Sequence, residues 1–231
     1  MSERMTPRQV WQQMVEGNRR FIAGEPAHPR QDVERRAELA SSQHPTAALF
    51  GCSDSRLAAE IIFDEGLGDL FVVRNAGQVV SDSVLGSLEY AVGVLEVPLI
   101  VVLAHDACGA VGAAIDSTGP DAPNLPAYIW RQIAPIVPAV RRVQRENAVD
   151  GHSPARVDPE LVGREHLRHT VGELLRASEL ISEAVAEGRT AVVGANYRLD
   201  EGEAFPVVIV GDVDDPRVSH NGTKQPGGTT T

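Results

Sequence analysis

Pro98-Leu-Ile-Val-Val-Leu-Ala104 is an unbroken apolar run that ends at His105. A strand half exposed to water alternates apolar and polar residues. A run without alternation is covered on both faces, as in the interior of a parallel sheet. Working back toward the N-terminus, residues 46–50 and 70–74 repeat the pattern in shorter form. The stretches at 57–63 and 81–95, the latter capped by Ser81 or Asp82, carry helical periodicity. Cys108-Gly109 open a further helix. Alternating strands and helices of this kind imply an α/β fold with a mostly parallel central sheet flanked by helices. Working forward, residues 116–126 form a Pro/Gly/Asp-rich loop. Helices follow over 128–147, where Pro135 and Pro138 introduce a kink, and over 158–188, with a polar link at 150–154 between them. Strands at 190–199 and 204–211 flank Asp200-Glu-Gly-Glu203, a hairpin signal.

Ahead of the first strand, Thr6, Pro7 and Gln9 form a capping box with proline at the first helical position. Val10, Trp11, Met14 and Phe21 make one apolar stripe, and Gly24 stops the helix. This helix reads either as an arm over a neighbouring subunit or as an ordinary packed helix. A short helix follows at 32–41. The expected organisation is one domain over residues 1–211, with residues 1–30 as an N-terminal helical arm, a C-terminal β-hairpin, and a disordered tail over 212–231.

Composition narrows the function. The 231 residues carry 21 Lys and Arg against 32 Asp and Glu, a net charge of −11. Such a surface repels phosphate backbones and anionic lipid, which argues against nucleic-acid and membrane partners. Aromatic residues make up 4%, too few for base-stacking platforms. The first residues lack an apolar signal core, and no apolar run approaches the ~20 residues of a membrane span. A cytoplasmic protein with reduced thiols is expected. Its two cysteines, Cys52 and Cys108, make no disulfide scaffold, and in a reducing setting they read as ligands or catalysts.

Both cysteines, and His105, fall at the carboxyl ends of strands, where open α/β sheets bind ligands. A His-x-x-Cys pair alone is weak evidence for a metal, and a lone cysteine is more often a small buried hydrophobe. Together, two thiolates and one imidazole form a zinc-type donor set one ligand short of a tetrahedron. Three protein ligands with an open fourth position describe a catalytic site. Asp54 and Arg56 share the loop with Cys52. Two arrangements stay open: Asp54 paired with Arg56, or Asp54 closing the fourth position in an inactive form.

Cys52-x-Asp54-x-Arg56 followed by His105-x-x-Cys108 resembles the signature of the β-class carbonic anhydrases. The resemblance extends to Val72-Val73-Arg74-Asn75 and Glu89-Tyr90-Ala91, and over roughly residues 8–210. It implies one zinc ion per subunit held by Cys52, His105 and Cys108, with Asp54 and Arg56 as a catalytic dyad. It also implies reversible hydration of carbon dioxide to bicarbonate and a proton by zinc-bound hydroxide. Gln43, nine residues before Cys52, is similar to the substrate-binding glutamine of the plant-like branch. Phe71 and Tyr90 are similar to the lining supplied across a dimer interface, so the resemblance implies a homodimer or homotetramer. The other branch carries tryptophan where this chain has Leu49, which argues against its bicarbonate allostery.

Two thiolates bring the zinc unit to zero net charge and make it a poorer acidifier than one held by three imidazoles, so the dyad's orienting hydrogen bond matters. The narrow carbon dioxide pocket is expected to include Phe71 and Ala76. His28, His44, His152, His166, His169 and His220 read as surface residues, with His44 a candidate proton shuttle. Three rival readings remain. They are hydrolysis of carbonyl sulfide or carbon disulfide on the same site, a closed structural-zinc module, and cysteine-nucleophile chemistry. The last has the wrong spacing, since Cys52 and Arg56 stand at C-x3-R.

Overall fold

A computed structural model describes residues 4–148 and 157–215. The 150–154 link, His152, His220 and most of the 212–231 tail lie outside the described residues. The elements are α1 (Pro7–Ala23), α2 (Val33–Glu38), β1 (Ala47–Cys52), α3 (Ala59–Ile62), β2 (Leu70–Asn75), α4 (Asp82–Gly93), β3 (Leu99–His105) and α5 (Gly109–Asp116). They continue with α6 (Ala127–Ile133), α7 (Val137–Glu146), α8 (Pro159–Ala177), α9 (Glu179–Ala186), β4 (Ala191–Tyr197) and β5 (Ala204–Val210).

The five strands form one sheet in the order β2-β1-β3-β4-β5. The first four run parallel, and β5 pairs antiparallel with β4. The apolar run of β3 explains itself in this sheet. Leu99, Val101 and Leu103 enter one core layer, and Ile100, Val102 and Ala104 enter the other. The first layer is completed by Val10, Trp11 and Met14 of α1, Ile62 and Phe63, and Ile136 and Val140. The second is completed by Leu88 of α4, Leu167, Val171 and Leu174 of α8, and Ile181 of α9.

The capping box forms as expected. Thr6 Oγ1 accepts from the Gln9 amide, and Gln9 Oε1 accepts from the Thr6 amide. Gly24 ends α1 at φ 73°. Helix α1 lies on its own chain's sheet, with Trp11 fully buried. Gly17 permits that approach, since a Cβ there would stand 1.8 Å from the Phe63 carbonyl oxygen.

Three details differ from the sequence reading. The helical region 158–188 is two helices. Ser178 breaks it, accepting from the Ile181 amide to cap α9 while its hydroxyl donates to Glu89 of α4. Pro135 and Pro138 divide the region 128–147 with a 3-10 turn, Ala134–Ile136, rather than a simple kink. At the start of α4, Ser81 holds the capping position without a side-chain cap, its hydroxyl lying 3.2 Å from Ser83 Oγ. Among the described residues, no helix is long and apolar enough to cross a membrane.

The strand order positions the site. From β1 the chain winds to β2 on one side, and β3 and β4 lie on the other. The reversal falls between β1 and β3, and the crevice beyond their carboxyl ends is where such sheets bind ligands.

Candidate metal centre

Cys52 is the last residue of β1, two residues further along the strand than its apolar pattern suggests. The β1 register with β2 carries through Cys52 opposite Asn75. His105 is the last residue of β3. Cys108 caps α5 three residues later. The thiols and an imidazole nitrogen of Cys52, His105 and Cys108, all buried, lie within 4.8 Å of one another.

The ring of His105 is set for ligation. Its Nδ1 lies 2.7 Å from the Asp106 carbonyl oxygen, an acceptor, so Nδ1 carries the proton. Nε2 then presents a lone pair, and it is buried without a hydrogen-bond partner among the described residues. A buried imidazole nitrogen facing two thiols, with its other nitrogen held by a carbonyl, is the donor arrangement zinc takes. The residues present therefore fit the ion. The hydrogen bond between the two sulfurs sets their acidities apart. The hydrogen bond from Cys108 holds the Cys52 thiol well below its usual range, against burial, and that same bond, joined by burial, pushes Cys108 up. A cation bound there would hold both sulfurs as thiolates.

The connection between His105 and Cys108 is tight. Ala107 adopts φ 47°. The Asp106 amide donates to Tyr197 O at 3.2 Å, and Asp106 Oδ1 accepts from the Leu199 amide at 3.0 Å. The end of β4 thus anchors the turn that carries two donors.

Asp54 stands beside this cluster without joining it. Its Oδ1 accepts from Arg56 Nε at 2.9 Å and from the Arg56 amide at 3.0 Å, and its Oδ2 accepts from Arg56 Nη2 at 2.7 Å. Arg56 Nη2 also reaches the Ala107 carbonyl oxygen at 3.3 Å. The guanidinium holds Asp54 well below the usual carboxylate range, against the opposing cost of burial. Asp54 Oδ2 lies 3.9 Å from His105 Nε2, beyond a hydrogen bond but facing the donors.

Several supporting residues escaped the sequence reading. Arg74 of β2 donates to the Cys52 carbonyl oxygen at 2.9 Å and to the Asp54 carbonyl oxygen at 2.7 Å, clamping the loop that carries Cys52, Asp54 and Arg56. The Gly77 amide donates to Cys52 Sγ at 3.3 Å. The apolar-then-Arg-Asn ending of β2 marked Arg74 without disclosing its partners. His166 is a correction: expected at the surface, it is 2% exposed, with Nε2 2.8 Å from the Gly77 carbonyl oxygen.

Gln43, Phe71 and Tyr90 are not brought to this chain's own donors. Gln43 and His44 precede β1, at the opposite end of the strand from Cys52. Phe71 pairs with Ala48, four positions before the Cys52–Asn75 pair, about 13 Å along a strand. Phe71 and Tyr90 do meet each other, with ring centroids 6.1 Å apart. Ala76, in the turn after β2, neighbours the Gly77 amide and hence the Cys52 sulfur.

A carbonic anhydrase family model matches residues 47–204. Carbonic anhydrase 2 of Mycobacterium tuberculosis is 49% identical over 208 residues, covering 90% of this chain and 96% of its own. The carbonic anhydrase of Mycolicibacterium smegmatis is 45% identical over 207 residues, with the same coverage. Among solved structures, a tetrameric β-carbonic anhydrase of Sordaria macrospora superposes with a TM-score of 0.64 at 25% identity, covering 85% of this chain and 96% of that one. The Coccomyxa β-carbonic anhydrase bound to acetazolamide gives 0.63 at 26% identity, covering 85% and 86%.

Proposed function

Since the chain belongs to the β-class carbonic anhydrases, zinc enzymes of reversible carbon dioxide hydration, we propose that Cys52, His105 and Cys108 hold the ion and that Asp54 and Arg56 orient the reacting oxygen. The observation that carries this assignment is the meeting of three buried donors at the ends of β1 and β3, with an ionised carboxylate facing them. A zinc ion held there supplies a Lewis acid that lowers the pKa of a water toward about 7.

The chain's own residues do the rest. Arg56 keeps Asp54 ionised and fixes its plane with two parallel bonds. Asp54 Oδ2 can then accept a hydrogen bond from the attacking oxygen and turn its lone pair toward the carbon. That is a gain in orientation rather than in acidity. Arg56 also opposes rotation of Asp54 into the donor cluster, because both carboxylate oxygens are engaged and the guanidinium leans on the Ala107 carbonyl.

Gln43, Phe71 and Tyr90 fit the site of a second copy of this chain better than their own. Phe71 lies on β2, the edge strand, and Tyr90 beside it is 46% exposed. In a homodimer, or a homotetramer like the Sordaria relative, the aromatic pair would line an apolar pocket for carbon dioxide. The Gln43 amide would donate to an oxygen of the forming bicarbonate. A reducing compartment, the cytoplasm, suits a site that needs both thiols free. The carbonyl sulfide, carbon disulfide and structural-zinc readings have no support in the comparisons.

Zinc content and stopped-flow hydration of carbon dioxide, measured together, test the assignment. Wild-type protein is expected to bind one zinc per chain and to be active. His105→Ala protein that kept full zinc and activity would overturn the ligand set.

A further inference from the structure

The turn after β2 is held from two helices that sequence places far away. Gln132 of α6 donates from Nε2 to the Ala76 carbonyl oxygen at 2.8 Å. His166 of α8 meets the Gly77 carbonyl oxygen through Nε2 at 2.8 Å. Between these two carbonyls lies the Gly77 amide, which donates to Cys52 Sγ. The Ala76 carbonyl and the Gly77 amide belong to one peptide group. Gln132 grips one end of that group, and the Cys52 sulfur receives its other end.

Gly77 sits at φ 80°, and a Cβ there would come within 2.8 Å of Ala110 Cβ. Position 77 therefore requires glycine, and the turn packs there against α5. Burial pushes the His166 pKa down to about 4, so the ring is neutral near pH 7. Because a carbonyl oxygen only accepts, the proton is on Nε2, and the buried Nδ1 has no hydrogen-bond partner among the described residues. The Asn75 side chain brackets the turn, accepting from the Val79 amide at 2.9 Å and donating to the Val79 carbonyl oxygen at 2.7 Å.

We propose that Gln132 and His166 are positioning residues for the Cys52 sulfur, acting through the peptide groups on either side of Gly77. A donor on the Ala76 carbonyl polarises the peptide and strengthens its amide as a donor at the other end. An amide hydrogen bond to a thiolate is charge-assisted and draws density off the sulfur. Less density then passes to the ion, which offsets part of the neutralisation that two thiolate ligands impose. His166 holds the next peptide, so the amide cannot swing away from the sulfur.

The proposal rests on Cys52 being a zinc ligand, and the test separates the two. Full-length protein is loaded with Co(II), and the thiolate-to-cobalt charge-transfer band is recorded. Zinc affinity is measured by competition with a chelator. Gln132 is only partly buried and sits outside both core layers, so its variants are expected to fold. Gln132→Glu and Gln132→Leu, which lack the donor, should both shift the band to longer wavelength as density returns to the sulfur and, because the peptide that holds Cys52 in line is freed, weaken zinc binding about tenfold. Gln132→Lys, which restores a donor, should return both toward wild type. An unmoved band in either donorless variant, or a shift that Gln132→Lys does not reverse, would overturn the positioning role. Wild-type cobalt protein without any thiolate band would instead overturn the ligand assignment, and this proposal with it.

Discussion

Two aspartate–arginine assemblies, one beneath α1 and one at the metal centre, use the same groups to opposite ends. Beneath α1, Asp64 has a side chain only 1% exposed. It accepts from Arg20 Nε at 2.6 Å and from the Ala27 and His28 amides at 2.9 Å each. Nearby, Arg30 Nε binds both oxygens of Asp69, at 2.9 and 2.7 Å, and Asp69 also accepts from the Gly66 amide. These carboxylates staple the segment after α1 to the loop between α3 and β2. At the metal centre, Asp54 keeps 17% of its side chain exposed and turns Oδ2 toward His105. A structural carboxylate is buried and takes bonds from several segments. The carboxylate proposed to act is held rigid by a single partner, Arg56, and keeps an oxygen facing the donor cluster.

The sharpest break between the two regions should come from their deletions. Cys52→Ser is expected to lose zinc and carbon dioxide hydration altogether, by metal analysis and stopped flow. Asp54→Asn should retain zinc and lower hydration about 10²–10³-fold. Its thermal midpoint should move little, since the Arg56 side chain is 51% exposed and a solvent-screened ion pair contributes about 0–1 kcal/mol. Asp64→Asn should do the reverse. It leaves buried donors poorly matched, so denaturant unfolding should show a loss of about 2 kcal/mol, with activity per zinc unchanged. If Asp64→Asn lost activity per zinc while keeping its stability, the division between the two assemblies would fail.

Acid tests the buried assembly directly. The amides of Ala27 and His28 and the Arg20 guanidinium hold Asp64 below the usual carboxylate range despite burial. Its contribution to stability is therefore complete above the unfolded-state value of about 3.9 and is lost as pH falls through the lower folded value. Unfolding free energy measured from pH 6 down to pH 3 should fall more steeply in wild type than in Asp64→Asn.

Much of this architecture was legible because burial on two faces leaves a plain mark. The β3 run could hardly be anything but an interior strand, and its neighbours followed from the alternation. The donor set was legible because strand ends are where parallel sheets work. What stayed hidden depends on partners distant in sequence. Ser178 ends α8 because it caps α9 and reaches Glu89, 89 residues earlier. His166 sits among helical residues that read as solvated, yet α8 packs that face on the sheet. The bonds from Arg74, Gly77 and Gln132 involve backbone atoms, which carry no residue-type signal.

The left-handed Ala107 has a consequence for how the ion arrives. A non-glycine residue in that region costs roughly 1–2 kcal/mol, and the surrounding packing and the β4 terminus hold it there. The fold, rather than the cation, therefore sets the bite between His105 and Cys108. Loading becomes the filling of a ready-made socket, unlike a small zinc finger in which the metal must gather a loose chain. Stripping with a chelator should leave a folded apoprotein that regains zinc without passing through an unfolded state. Ala107→Gly, which relaxes the turn, should change stability by less than about 1 kcal/mol while slowing that refilling.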